Sequence, residues 1–144
     1  MTSRRDAIAM SAAEVAALLD AELTMTCATV GRDGWPHLMP LWYVVRDGEC
    51  WAWTYAKSQK VRNLERDARC TLQVEAGDSY DQLRGVMIKC AAAIHRDPAV
   101  VAGVGTSLAA RYSGGGHVTP EQAAKRVALQ FVVNEIASFD HRKI

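Results

Sequence analysis

The chain has 144 residues, 49% of them hydrophobic and 23% charged. That is the length of one domain with enough apolar content to bury a core without metal or disulfide staples, and it excludes intrinsic disorder as the main state. The 17 basic and 16 acidic side chains leave a net charge of +1, so no overall field gathers nucleic acid.

No uncharged apolar run of signal-peptide length opens the chain, and none approaches the roughly 20 residues of a membrane span. The expectation is a cytoplasmic protein without a membrane partner. Ser11-Ala-Ala-Glu14 is a capping box, and Val15, Leu18, Leu19 and Leu23 continue from it at helical spacing, predicting an N-terminal helix within residues 1–22. Thr24–Val30 reads as a strand ending at the hairpin turn Gly31–Gly34. Pro36–Arg46 reads as a long second strand, interrupted by Pro36 and Pro40, which cannot donate to a ladder. Asp47-Gly48 is a second hairpin signal, and Glu49–Tyr55 a third strand. In it, Trp51, Trp53 and Tyr55 share one face, with Cys50, Ala52 and Thr54 on the other.

Lys57–Asp67 reads as a short basic helix, Arg69–Glu75 as an alternating strand, and Val86–Arg96 as another strand. Asp97-Pro98 opens a helix reaching Tyr112, and Thr119-Pro-Glu-Gln122 is a second capping box predicting another short helix. Together these make a helical insertion over 97–126. Val127–Val133 alternates, and Ile136–Phe139 continues or pairs with it. Cys27, Cys50, Cys70 and Cys90 are widely spaced inside strands, with no CxxC and no His at ligand spacing, so they read as small buried hydrophobes and no metal site is expected. Hairpin-linked strands with few helices point to a mainly β, small antiparallel barrel occupying residues 1–144 as a single domain.

The chain lacks GxGxxG after a strand, GxxxxGK[ST], GxSxG and HExxH, so no catalytic residues are assigned, and any redox chemistry falls to a cofactor. The segment Lys57–Arg69 carries five basic and two acidic side chains, a local +3. Lys57, Lys60 and Asn63 follow one another three apart on a helix whose start is Ser58. Backbone amides, the positive end of the dipole and two ammonium groups would converge there on a phosphate. The alternative is a solvated basic helix covering the barrel with Val61 and Leu64. Pro40-Leu-Trp42-Tyr43 is a broken strand whose free backbone groups suit a planar heterocycle; the alternative is an edge strand forming a subunit interface. Trp42, Trp51 and Trp53 are then expected as an aromatic wall beside the phosphate site. Trp35 has no assigned role.

The run Ala28-Thr-Val-Gly-Arg-Asp-Gly-Trp-Pro-His-Leu-Met-Pro-Leu-Trp-Tyr43, followed by Trp53-Thr54, Lys60-Val-Arg-Asn-Leu-Glu-Arg-Asp-Ala-Arg69 and Ser138-Phe-Asp-His-Arg-Lys143, resembles the pyridoxamine-5′-phosphate-oxidase-like split β-barrel superfamily. This group is also known as the flavin/deazaflavin oxidoreductases. The resemblance spans about Leu23 to Lys143. It implies a homodimer of six-stranded FMN-binding split barrels with FMN or the deazaflavin F420 at the interface. It also implies cofactor phosphate on Lys57, Ser58, Lys60, Arg62 and Asn63, the ring along Met39, Pro40, Leu41 and Trp42, and Thr54 between them. Ala68, Phe139 and Cys90 depart from common family residues. The resulting expectation is an oxidoreductase passing a hydride between F420 and a small organic substrate. The alternatives are an FMN enzyme of the same fold, or a non-enzymatic cofactor or haem carrier using His37 or His95.

Overall fold

The computed structural model describes residues 2–144. Two short helices come first, α1 (Arg4–Ile8) and α2 (Ala12–Ala21). Each starts at a complete capping box, Ser3 with Asp6 and Ser11 with Glu14, because the serine oxygen and the acidic side chain satisfy amides that a helix start leaves unpaired. Strands β1 (Met25–Val30), β2 (Pro36–Leu41), β3 (Val44–Arg46) and β4 (Glu49–Tyr55) follow. The β3–β4 turn places Asp47 at φ 51° and Gly48 at φ 79°, the left-handed pair that matches hairpin twist. Then come α3 (Gln59–Arg66), β5 (Arg69–Ala76), β6 (Arg84–His95), α4 (Pro98–Tyr112) and β7 (Arg126–Asp140).

The strands form one antiparallel sheet in the order β2-β1-β5-β6-β7-β4-β3. Consecutive strands β2 and β3 therefore lie at its two opposite edges. Only Trp42 and Tyr43 join them, a link that spans at most about 11 Å between the Cα atoms of Leu41 and Val44. A flat seven-stranded sheet would hold those edges about 29 Å apart. The sheet must roll until its edges meet at this corner.

This corrects the expected six-stranded split barrel. The sheet has seven strands, and no ladder joins β2 to β3, so it is rolled but not closed. The long second strand expected over Pro36–Arg46 is the pair of edge strands. Closure fails for local reasons. Pro36 and Pro40 have no N–H, and β3 is three residues long. At the link, the backbone polar groups of Tyr43 go to α4 instead. Its N–H donates to Tyr112 Oη (3.1 Å), and its carbonyl accepts from Tyr112 Oη and Arg111 Nη1, both at 2.8 Å.

The concave face holds the main core. Met25, Leu72, Val74, Val86, Leu129 and Phe131 are almost fully buried there, with Val15, Leu18 and Leu19 of α2 capping one end. Cys27, Cys50, Cys70 and Cys90 are all buried and unpaired in this core. Burial pushes the Cys27 and Cys50 thiols up to about 12, as befits inert fillers. A second core lies outside the sheet, where Val101, Val104 and Leu108 of α4 pack on Val44 and Ala128, with Trp51 and Trp53 against them. The capping box at Thr119 forms its hydrogen bonds with Gln122, yet residues 120–125 make turns rather than the expected helix. The C-terminal segments 127–133 and 136–139 are one strand.

Candidate functional site

The corner where β4 runs into α3 brings together several of the residues expected at the phosphate. Along β4, Thr54 turns to the concave side and Trp53 to the other, as the two-residue period dictates. Thr54 is buried, and its Oγ1 accepts a hydrogen bond from Lys60 Nζ at 3.1 Å. Lys60 is half-buried and forms no ion pair among the described residues. Burial holds its ammonium below the ordinary lysine range.

Ser58 is the N-cap of α3, yet its side chain makes no capping hydrogen bond. Its Oγ is buried without any partner, one of two such side-chain atoms among the described residues; the other is His37 Nδ1 on β2. Hence an unused hydroxyl, the free first-turn amides of an eight-residue helix and an unpaired lysine lie together at one end of α3.

The other expected contacts are placed differently. Lys57 is exposed at the turn before α3, and Arg62 is exposed and paired with Glu65 at 3.4 Å. Asn63 is fully buried and its side chain is occupied. Its Nδ2 donates to Thr29 Oγ1 at 3.0 Å, while its Oδ1 accepts from Gln59 Nε2 at 2.9 Å and Arg66 Nη2 at 3.2 Å. It pins α3 onto β1 and thereby fixes where Ser58 and Lys60 stand. Met39, Pro40 and Trp42 are exposed on the edge, and Leu41 is half-buried.

The aromatic wall is smaller than the sequence suggests. Trp51 stacks on His95 at 5.0 Å, and the Trp53 ring lies directly under Gly105 of α4, so both serve the outer core. Only Trp42 and Trp53 come to a common pocket, of about 400 Å³, on the outer side of the β2 edge. His95 also hydrogen-bonds Gln130 at 2.9 Å, which occupies its Nε2.

Two contributors were not singled out from sequence. Tyr112 stacks on Trp42, with centroids 4.5 Å apart and planes within 5°. Arg126 lies over the rings of Trp53 (4.4 Å) and Tyr55 (4.1 Å). Both sit far along the chain from the residues they touch, and only sheet register brings Arg126 opposite Tyr55. No group of three or more His, Cys, Asp or Glu side chains suited to a metal ion occurs among the described residues. Nor is any of their helices long and apolar enough to cross a membrane.

Among solved structures, the chain is similar to a conserved hypothetical protein of Mycobacterium tuberculosis, with 43% identity, a TM-score of 0.90, and coverage of 99% of this chain and 92% of that one. An F420 reductase aligns at 24% identity and TM-score 0.69 over 84% of this chain and 94% of its own. HutZ, the haem storage protein of Vibrio cholerae, aligns at 14% identity and TM-score 0.70 over 89% and 95%. These last two likenesses are of fold. None of the curated proteins matches the chain. The family model for pyridoxamine 5′-phosphate oxidase matches residues 11–140, and the chain belongs to that family.

Proposed function

We propose that the protein is a flavin-type oxidoreductase that binds F420, or FMN in the same position, with the phosphate at the β4–α3 corner and the ring along the β2 edge. It would transfer a hydride to or from a small organic substrate. The observation that carries this reading is the buried, unpartnered Ser58 hydroxyl beside the Thr54–Lys60 pair at the open start of α3. A buried hydroxyl without a partner costs free energy, and a phosphate oxygen is the acceptor that would satisfy it there.

Lys60, Ser58 and the first amides of α3 hold the phosphate in this reading, with Lys57 and Arg62 contributing charge from the rim. Asn63 positions the helix. Met39, Pro40 and Leu41 of the β2 edge, with Trp42 of the following link, flank the ring, since Pro40 has no N–H to donate to a further strand. The bound ring supplies the hydride chemistry; the protein supplies orientation and excludes water. A second copy of the chain completes the site by covering the exposed apolar residues of β2. Leu38, Met39 and Trp42 are 58%, 44% and 53% exposed, an unusual concentration of apolar surface on one edge.

The test is titration of FMN, F420 and haem into the purified protein, followed by absorbance and tryptophan fluorescence. F420 or FMN should saturate one site per chain, and Lys60→Ala should weaken that binding at least about ten-fold, the worth of a charge-assisted hydrogen bond. Unchanged flavin and deazaflavin affinity in Lys60→Ala, or a haem Soret band with no flavin binding, would overturn the assignment.

A further inference from the structure

The pocket behind the β2 edge has a composition of its own. Pro40, Leu41 and Trp42 form one wall, and Trp53 and Leu108 form the other. Its volume of about 400 Å³ falls within the range of small-molecule sites. Both aromatic walls are rigid. Trp42 is stacked on Tyr112, whose hydroxyl is tied to the carbonyls of Leu23 (2.9 Å) and Tyr43 (2.8 Å). Trp53 is wedged beneath α4 at Gly105.

Arg126 is the one charged residue lining this pocket. No carboxylate lies within ion-pair distance of it among the described residues. Most arginines of this chain are spoken for. Arg111 donates to the carbonyls of Leu19, Asp20, Glu22 and Tyr43, and Arg69 and Arg142 form two-pronged contacts with neighbouring aspartates. Arg126, half-buried, is instead oriented by the faces of Trp53 and Tyr55. A cation–π contact uses the face of the guanidinium plane and leaves its N–H fork free. A half-buried fork held by two aromatic faces, with no internal acceptor, is suited to a planar anion, which it can bind through two parallel hydrogen bonds.

We propose that this pocket is a second ligand site, separate from the cofactor position, and that it takes a flat, largely apolar molecule carrying one carboxylate, with Arg126 as the specificity-determining contact. The Pro40–Trp42 wall stands between this pocket and the position proposed for the ring, so its occupant is a bound ligand and not the hydride partner. The two aromatic walls select a planar body, and the guanidinium selects the acid over its neutral isostere.

Calorimetric titration of the purified protein, without added cofactor, with 2-naphthoate and its neutral isostere 2-naphthamide tests the site. The wild type should bind the acid at least about ten-fold more tightly than the amide. Arg126→Gln should erase that preference while leaving amide affinity within about two-fold, an outcome that a merely structural role for Arg126 would not produce. Arg126→Lys, which keeps the charge but not the fork, should retain part of it. Thr24→Trp, which fills the pocket from its exposed lining residue, should weaken both ligands. If Arg126→Gln does not fold, the wild-type preference, Arg126→Lys and Thr24→Trp decide the matter. Equal affinity for acid and amide, a preference that survives Arg126→Gln, or binding indifferent to Thr24→Trp would each overturn the proposal. Repeating the titration with saturating FMN separates the two readings. Simultaneous binding supports a site distinct from the ring, and mutual exclusion refutes it. Failure of FMN to bind at all, with acid selectivity intact, removes the flavin reading and leaves Arg126 as the anion contact.

Discussion

Ser58 carries a cost in the free protein that binding of a phosphate, as proposed, would offset. The Ser58 hydroxyl is desolvated and unpaired, so its removal takes away a penalty rather than an interaction. Ser58→Ala should therefore leave unfolding free energy within about 0.5 kcal/mol of wild type, or raise it, while weakening F420 or FMN binding about five-fold. Chemical denaturation and cofactor titration on the same sample read the two effects separately. Asp140 is the opposite case, a buried carboxylate fully satisfied by Arg142 through its backbone N–H (3.0 Å), Nε (2.9 Å) and Nη2 (2.8 Å). The arginine holds the Asp140 carboxyl well below the usual range, at about 2. Because the folded value is depressed, the unfolded state binds the proton more readily. The stabilisation is present above the ordinary aspartate range and is lost as pH falls towards about 2. Asp140→Asn should cost about 1–3 kcal/mol near neutral pH, and the gap in melting temperature between the two proteins should close between about pH 4 and pH 2.

Among the elements, α4 carries a role that its sequence does not advertise. Its Gly103-Val-Gly105 spacing gives no phosphate cradle; the two glycines do different things. A methyl group at Gly103 would meet nothing within 4 Å, whereas one at Gly105 would fall inside the Trp53 ring. Gly103→Ala should stabilise the fold by about 0.5–1 kcal/mol through helix propensity. Gly105→Ala should cost about 1–3 kcal/mol by forcing Trp53 aside, a shift visible in both the denaturation midpoint and tryptophan emission. The far end of the same helix ties down the corner where the sheet edges meet, through Arg111 and Tyr112. α4 thus braces both walls of the Arg126 pocket. Strand β2 shows the converse, an element specified by what it cannot do. Two prolines deprive it of ladder donors, and it stays an edge.

For the whole molecule, the exposed apolar edge of β2 bears on assembly. If a second copy covers it, the wild type should sediment as a dimer, and Leu38→Glu, which places a charge on a residue 58% exposed, should sediment as a monomer and lose cofactor affinity. Much of this architecture is legible in the sequence because the signals are local. Alternation along Glu49–Tyr55 and Arg69–Ala76, the capping box at Ser11 and Asp97-Pro98 each fix their own element to within a residue or two. The cysteines' burial follows from the same alternation. The basic start of α3 stands out because charge, cap and helix start are consecutive. Thr119–Gln122 shows the limit of a local signal: the capping hydrogen bonds form, but too few residues remain before β7 for a helix to propagate. What the sequence alone determined is therefore the elements, their buried faces and the place of the basic segment at the start of α3. Only the tertiary structure decided that the sheet has seven strands and stays open, that Trp51 and Trp53 serve α4, and that Asn63 is an anchor. It alone brought Arg126 beside Trp42 and left Ser58 without a partner. Those outcomes depend on which distant strands become neighbours, and a periodic pattern records which face a residue points to, not what lies across from it.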